Sequence, residues 1–276
     1  MVVQHNVTAM NANRMLGITT GVQAKSSEKL SSGYKINRAA DDAAGLAISE
    51  KMRRQVRSLT QASANAQDGI SAVQTAEGAL NEVHDMLQRM SELATKAAND
   101  TLQSSDRDYI DQEMTQLKTE IDRTGASTEF NNTLLLNGSF VGKKLQVGSE
   151  TNEDNQITIN IVAMTCSGIG ITGSNCTVAG SNGSNARTAM ETIKEALESV
   201  SKQRSDLGAV QNRLEHTIKN LDNVVENTQA AESQIRDTDM AAEMVKYSNN
   251  NILAQAGQSM LAQANQTNQG VLSLLQ

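Results

Sequence analysis

Apolar side chains recur at alternating steps of three and four residues between Met190 and Ile235, where ten of the fourteen positions on this spacing hold Met, Ile, Leu or Val. The spacing puts these side chains on one stripe of an α-helix and is typical of helices that pack side by side, as in a coiled coil. At 1.5 Å per residue, this helix is about 70 Å long. The sequence therefore predicts a mainly α chain of long, antiparallel helices in coiled-coil-like bundles.

A second stripe with the same spacing runs from Met52 to Leu87 and continues with slight drift to Ala97. It predicts another long helix, and the composition agrees. The chain has no proline, which costs roughly 3 kcal/mol inside a helix, and aromatic residues make up only 2% of it. Aromatic rings supply much of the buried area of large mixed cores, so their scarcity argues against such a core.

A shorter helix is predicted after the break at residues 99–103. Ser105 and Asp108 have the spacing of a capping box, in which the two side chains satisfy free N–H groups at a helix start. Apolar residues at helical spacing follow between Ile110 and Ile121, and Gly125 is a candidate C-terminal stop.

The middle of the chain has a different pattern. Apolar and polar residues alternate at two places separated by a turn-rich link, which predicts a β-hairpin; the apolar members are Leu145, Val147, Ile157, Ile159 and Ile161. Residues 165–186 are rich in Gly, Ser, Asn and Thr, which predicts an irregular exposed loop. Two cysteines, Cys166 and Cys176, lie in this loop, and the sequence leaves open whether they are loop thiols or one local disulfide.

Both chain ends lack charged side chains: residues 1–13 and 248–276 contain no Lys, Arg, Asp or Glu. Each end nevertheless carries a thin stripe at helical spacing, which buries too little to stabilise a free helix. We therefore hypothesise that both ends are disordered in the monomer and fold against neighbouring copies. The predicted filament-packing residues are Val3, Val7, Met10, Leu253, Met260, Val271 and Leu274.

Several classes of function are disfavoured. The net charge of −7 argues against a nucleic-acid binder, which needs a basic footprint. No apolar run is long enough to insert into a bilayer, and the first residues lack the pattern of a cleavable signal peptide. The three histidines never form His-Glu-x-x-His, and four metal ligands are not at hand, so neither a metal nor a cofactor is expected. The adjacent Asp41 and Asp42 are interpreted as helix-end or interface charges.

The sequence resembles bacterial flagellins in long segments at both ends. On the N-terminal side these are LSSGYKIN at 30–37, ADDAAGLAI at 40–48, NAQDGI at 65–70 and TAEGAL at 75–80. On the C-terminal side they are LGAVQNRL at 207–214, AESQIRDTD at 231–239, LAQANQ at 261–266 and GVLSLL at 270–275. Only residues of about 163–186 fall outside the resemblance.

The resemblance implies a domain organisation and a function. Residues 1–42 plus 236–276 would form an inner terminal coiled-coil domain, and residues 43–162 plus 187–235 a second helical domain with the β-hairpin. Residues 163–186 would be a short exposed variable loop in place of large outer domains. The chain would be an extracellular, non-enzymatic filament subunit for swimming. It would be exported unfolded without a cleaved signal peptide and polymerised at the tip of the filament. Its partners would be an export chaperone, a cap and hook-junction proteins.

The family is also recognised by the innate immune Toll-like receptor 5 of animal hosts. The receptor motif matches LQRMSELA at 87–94, and its key residues carry over to Arg89, Leu93 and, on the following helix, Glu113. From the residues alone, Arg89 and Glu113 are solvated charges and Leu93 belongs to the apolar stripe; the resemblance implies a receptor-binding role instead.

Two rival functions are weighed against the filament subunit. A hook–filament junction protein shares similar termini, but its middle normally diverges more and lacks the receptor motif. A secreted enzyme or adhesin would use the loop at 165–186. That loop has neither carboxylates nor histidines, which disfavours catalysis there and leaves adhesion or glycan attachment open.

Overall fold

The computed structural model describes residues 6–180 and 182–273. This part of the chain contains five α-helices and two small antiparallel hairpins, so the predicted mainly α fold is confirmed. The helices are α1 (Val7–Ser32), α2 (Ala43–Ala97), α3 (Ser104–Ser127), α4 (Ser184–Arg236) and α5 (Met240–Ser273). The strands are β1 (Glu129–Phe130), β2 (Thr133–Leu134), β3 (Lys143–Gln146) and β4 (Gln156–Ile159).

The chain divides into two compact units. The first consists of residues 1–56 and 226–276, and the second of residues 57–225. These divisions fall inside α2 and α4, whereas the domain boundaries predicted from the sequence, after residues 42 and 235, fall near the start of α2 and the end of α4. The predicted boundaries stay a prediction; the two units are described separately below.

The second unit holds the main apolar core, and the two long stripes supply it. Leu80, Leu87 and Met90 of α2 and Ile193 and Val200 of α4 are fully buried in one cluster. The predicted long helices are therefore confirmed, since α2 spans 55 residues and α4 spans 53. Ile110, Met114 and Ile121 of α3 join the same cluster.

The start and end predicted for α3 need correction. The helix begins at Ser104, and the carboxylate that accepts from the N-cap N–H belongs to Asp106, at 3.1 Å from Gln103 N, instead of Asp108. Gly125 lies two residues inside the helix end. A Cβ at Gly125 would lie 2.9 Å from Thr165 Cγ2, so this glycine permits a close approach of the chain instead of ending the helix.

The predicted β-hairpin is confirmed as β3 and β4, with Leu145 opposite Ile157. Gln203 of α4 fixes the segment that follows β4. Its amide Nε2 donates to Asn160 O at 3.0 Å, and its Oε1 accepts from Val162 N at 3.4 Å. The hairpin of β1 and β2 was not predicted. Its turn residues Asn131 and Asn132 have φ of 48° and 61°, a left-handed conformation that asparagine tolerates better than most residues.

The segment predicted as an exposed loop, residues 163–186, is irregular up to the start of α4 at Ser184, but it is only partly exposed among its described residues. Apolar side chains from this segment are buried in the main core; they are Met164, Cys166, Ile169, Ile171, Cys176 and Val178. The prediction of full exposure was wrong because it rested on the high content of Ser, Gly and Asn in this segment. The apolar residues among them are spaced to point inward. We call residues 165–180 the strap.

Four polar side chains on one face of α3 hold the backbone of the strap. Arg107, only 1% exposed, donates to Gly180 O at 3.4 Å, and Asp111 accepts from Val178 N at 2.8 Å. Lys118 donates to Cys176 O at 2.8 Å, and Asp122 accepts from Cys166 N at 2.8 Å. Because the partners are backbone groups, these bonds substitute for the ladder of a regular sheet.

Both cysteines are free thiols in the buried part of the strap, which answers the question left open by the sequence. Cys166 Sγ donates to Lys118 O at 3.2 Å. Burial raises the pKa of Cys166 to about 12, with the Asp122 carboxylate adding to the shift, and burial also raises the pKa of Cys176.

The terminal segments differ from the expectation of a disordered monomer. Within the described residues both ends are helical, as α1 and α5, and these two helices pack on each other. Gly33, with φ of 75°, ends α1 through its N–H, which donates to Lys29 O at 2.9 Å. The expectation assumed that each thin stripe would stand alone, whereas each helix is the partner of the other.

We expect thiol-reactive reagents to label Cys166 and Cys176 slowly in the folded protein. With a pKa of about 12, only about one Cys166 thiol in ten thousand is ionised at pH 8. Asp111→Ala should raise the labelling rate of Cys176 by about tenfold, because it frees the Val178 N–H and loosens the strap. Peptide mass spectrometry after timed labelling measures both rates.

The matched control is Asp108→Ala, since Asp108 is an exposed carboxylate on the same helix. Equal rates in these two variants would contradict a role of Asp111 in holding the strap. Fast labelling of the parent protein would contradict the burial of the thiols.

Candidate functional site

The first unit exposes large apolar side chains on both of its terminal helices. Met10 of α1 is 67% exposed and Met260 of α5 is 62% exposed. We call eight of the exposed apolar side chains of this helix pair the terminal row; they are Val7, Met10, Met15, Ile18 and Val22 of α1, with Ile252, Leu253 and Met260 of α5. An exposed apolar surface on this scale is typical of a protein–protein contact.

The structure describes four of the seven predicted filament-packing residues in full. Val7, Met10, Leu253 and Met260 are all exposed members of the terminal row. Val271 lies in α5, and its side chain is outside the described part of the structure. Val3 and Leu274 lie outside the described residues. The packing role of all seven stays a prediction.

A groove lies along the terminal row between α1 and α5. Its volume is about 420 Å³, and its apolar lining includes Met15, Leu16, Leu253 and Met260. Gly257 lies at its floor, where a Cβ would be 3.3 Å from Leu16 Cδ1. The glycine thus permits the two helices to approach closely, at the usual cost of about 1 kcal/mol for glycine inside a helix.

The links that join the terminal helices to the rest of the first unit are fixed by Arg236, which sequence reasoning did not single out. Its carbonyl accepts from Lys35 N at 2.6 Å, and its guanidinium lies 4.7 Å from the centre of the Tyr34 ring. Its Nη1 donates to Glu50 Oε1 at 2.8 Å. Asp42 caps the start of α2 by accepting from Gly45 N at 2.9 Å, in agreement with its interpretation as a helix-end charge.

A second candidate site lies in the other unit, where the structure brings Arg89 and Glu113 together. Arg89 Nη2 and Nε donate to Glu113 Oε1 at 2.9 and 3.1 Å, and Nη1 donates to Glu92 Oε2 at 3.1 Å. The hydrogen bond that Arg89 donates to Glu113, followed by the one it donates to Glu92, raises the pKa of Arg89 above its ordinary value.

The third residue of the receptor motif is placed differently. Leu93 is only 4% exposed and belongs to the main core, although it also contributes to the floor of an open pocket of about 460 Å³ beside Arg89. The rim of this pocket includes Tyr109, which is 70% exposed. Arg89 and Glu113 therefore present polar groups at the surface, while Leu93 supports the helix from below.

Across 6–180 and 182–273, no three His, Cys, Asp or Glu side chains form a group suited to a metal ion. His84 is half-buried and contacts Gln88, with 2.9 Å between their Nε2 atoms. Over the same ranges, no helix is both long and apolar enough to cross a membrane.

Long helices that expose many apolar side chains are typical of a class of protein that associates with other protein chains through helical surfaces. The chain matches the bacterial flagellin N-terminal helical region over residues 3–141 and the bacterial flagellin C-terminal helical region over residues 190–275. The chain belongs to the bacterial flagellin family.

Two full-length relatives agree with this assignment. The chain is 52% identical over 275 residues to a flagellin of Halalkalibacterium halodurans, with 100% of both chains covered. It is 50% identical over 286 residues to the flagellar filament 31.3 kDa core protein of Treponema maltophilum, again with 100% of both covered. The crystal structure of Bacillus cereus flagellin is 28% identical, with a TM-score of 0.49, and its alignment covers 57% of this chain and 88% of that one.

Family membership settles the broad function. Flagellins are structural subunits that polymerise with copies of themselves into the extracellular filament of the flagellum. The family is structural and not enzymatic, so the prediction that the chain is not an enzyme is confirmed by the family.

Leu93→Ala should destabilise the second unit by about 2–5 kcal/mol, the usual cost of removing a buried leucine side chain. Urea denaturation followed by circular dichroism measures this loss. Arg89→Ala is the comparison on the same helix, and because its side chain is half-exposed it should leave the urea midpoint nearly unchanged. Equal midpoints for Leu93→Ala and the parent would contradict the core position of Leu93.

Proposed function

We propose that the terminal row is the surface through which copies of this subunit pack in the flagellar filament. The observation that carries the proposal is the combination of exposed apolar side chains with the absence of charge over residues 1–13 and 248–276. Buried charges without partners are costly, so an uncharged surface packs against other copies without that penalty. The groove between α1 and α5 adds a concave place for side chains of a neighbouring copy.

The resemblance to flagellins supports the finer steps of assembly. The subunit is exported unfolded through the flagellar channel without a cleaved signal peptide and is polymerised at the filament tip, where the filament serves swimming. An export chaperone, a cap and hook-junction proteins are its partners along this route. An unassembled monomer with an exposed apolar row needs a cover in the cell, which supports a chaperone that binds the terminal helices.

Met260→Glu should slow filament elongation by about tenfold or more, because assembly would bury an unpaired carboxylate at the terminal row. The monomer should keep its helix content, since Met260 is exposed in it. Elongation from added filament seeds, followed by light scattering and electron microscopy, measures the effect.

The control introduces the same charge elsewhere. Ser174→Glu places a carboxylate on an exposed turn of the strap in the second unit and should leave elongation near the parent rate. Normal elongation by Met260→Glu would show that the terminal row is not the packing surface.

We also infer that this flagellin is a ligand of Toll-like receptor 5 through Arg89 and Glu113, with Leu93 in a supporting position. The specific observation in favour is the Arg89 guanidinium, which is about half exposed beside an open pocket and held by two carboxylates. A guanidinium fixed in one orientation offers several donors to a partner, and arginine is enriched among the residues that dominate binding energies.

Arg89→Ala should weaken binding of the monomer to the receptor ectodomain by about tenfold or more, while seeded filament growth stays normal. Surface plasmon resonance measures the affinity. Arg123→Ala is the matched control, because Arg123 is an exposed arginine of the same unit that pairs with Glu120 on its own helix. Equal affinity of Arg89→Ala and Arg123→Ala would overturn the receptor role of Arg89.

A further inference from the structure

The second unit contains two Asn–Gly pairs, Asn137–Gly138 and Asn182–Gly183, and a serine follows each of them. In such a pair the backbone nitrogen of the glycine can attack the side-chain carbonyl carbon of the asparagine and close a five-membered ring. Glycine favours this reaction, because it has no Cβ to hinder the approach and its backbone is conformationally free. The local sequence Asn-Gly-Ser is the same at both places, so any difference in reactivity comes from the fold.

At Asn182 the attacking nitrogen is occupied. Gly183 N donates to Asp100 Oδ1 at 3.1 Å, and Gly183 is buried. A Cβ at Gly183 would lie 2.5 Å from Ala98 O, so this residue packs closely against the end of α2. Ring closure at Asn182 would have to break the bond to Asp100 and move a closely packed peptide.

At Asn137 the hydrogen bonds lie on the other reacting group, the side-chain carbonyl. Asn137 is exposed, and its Oδ1 accepts from Ser139 N at 2.9 Å and from Ser139 Oγ at 2.6 Å. Oδ1 is the atom that takes up negative charge when the ring closes. Donors already directed at such an atom stabilise the charge that develops in the transition state, as in the oxyanion hole of an acyl-transfer enzyme.

The attacking nitrogen and the leaving amine are both free at this turn. Among the described residues, no group accepts a hydrogen bond from Gly138 N or from Asn137 Nδ2. The turn around them is nevertheless held, since Met164 N donates to Leu136 O at 2.8 Å. Gly138 has φ of 87°, a left-handed conformation that favours glycine. The fold thus fixes the two donors and leaves the reacting nitrogen atoms unbound.

We propose that Asn137 is a site of spontaneous deamidation, for which Ser139 supplies the oxyanion donors. Gly138 N loses its proton to hydroxide and bonds to Asn137 Cγ, while Oδ1 becomes an oxyanion. The carbonyl then re-forms and expels Nδ2, which takes a proton from water and leaves as ammonia. Water adds to one of the two carbonyls of the resulting succinimide and breaks its bond to nitrogen. The product is an aspartate or an isoaspartate.

The reaction changes the charge and the backbone of an exposed turn. Either product adds one negative charge, and isoaspartate routes the backbone through the side chain, one carbon longer, directly after Leu136. The Leu136 carbonyl holds Met164 N, so isoaspartate should loosen this contact. Since the filament of this family is extracellular, a subunit keeps the modification once it has formed, and the modified fraction grows with the age of the filament.

Peptide mass spectrometry measures both sites in one full-length chain, incubated folded or in urea at the same mildly alkaline pH. In urea the two Asn–Gly pairs should deamidate at similar rates, because the local sequence is the same. In the folded chain Asn137 should react at least as fast as in urea. Asn182 should react about tenfold more slowly than in urea, because Gly183 N must first leave Asp100. Slower reaction of Asn137 in the folded chain than in urea would overturn the proposal.

Hydroxylamine, which cleaves a succinimide, tests the route. It should cut the folded chain after residue 137 and leave residue 182 intact. Deamidation of Asn137 without this cleavage would contradict the attack by Gly138 N.

Two replacements of Ser139 test the donors. Ser139→Ala should slow the reaction of Asn137 in the folded chain by about fivefold, because it removes the hydroxyl and leaves the N–H. Ser139→Thr keeps a hydroxyl and should react near the parent rate. Ser167→Ala, at an exposed serine of the same unit, is the control.

The opposite outcome is equally informative. Faster reaction of Ser139→Ala would show that the two hydrogen bonds hold the carboxamide away from Gly138 N, and it would overturn the proposal. Equal rates for Ser139→Ala and Ser139→Thr would overturn the role of the hydroxyl. The comparison of folded and urea-treated parent protein needs no substitution, so it decides the matter even if a Ser139 variant is unstable.

Discussion

The incomplete burial of the terminal helices is the constraint on which the rest of this structure depends. In most helix pairs the large apolar side chains meet at the seam, and the charged ones face water. Among the described side chains of α1 and α5, the buried ones are Ser26, Ala254 and Glu243, Leu16 and Leu261 are half-buried, and Met10 and Met260 are exposed. Such a pair gains little stability from its own seam. In the packing proposed above, other copies of the chain supply the missing surface.

The second unit differs from the terminal helices, because it buries its apolar side chains in a core formed within one chain. The long stripes of α2 and α4 supply most of that core, and the strap covers what the helices leave open. Arg107, Asp111, Lys118 and Asp122 hold the strap through its backbone, so the bonds do not depend on which side chains the strap carries. A segment anchored in this way tolerates changes of side chain as long as its inward-facing apolar positions are kept.

The repeating spacing of apolar residues predicted the parts of the fold that are specified within a single helix or hairpin. The long helices α2 and α4 and the β3–β4 hairpin follow from spacing alone, because each repeats a short pattern many times. The strap was misjudged because its burial depends on partners on α3 that are more than 40 residues away. Arg236 was missed for the same reason: nothing local distinguishes an arginine over Tyr34 from a solvated one. The family resemblance singled out Arg89 and Glu113, but only the structure shows that they pair, and that Leu93 lies beneath them.

The absence of charge from both chain ends has a second consequence for the helix pair. An uncharged surface suits close packing between copies, but it also removes the ion pairs that elsewhere align two helices. Most of the charged side chains of the pair lie towards the links, in the stretch that holds Lys29 on α1 and Glu243 and Lys246 on α5. The buried Glu243 carboxylate lies at this end of the pair, while the groove and Met260 lie towards the other. The apolar groove and the buried carboxylate thus occupy different segments of the same two helices.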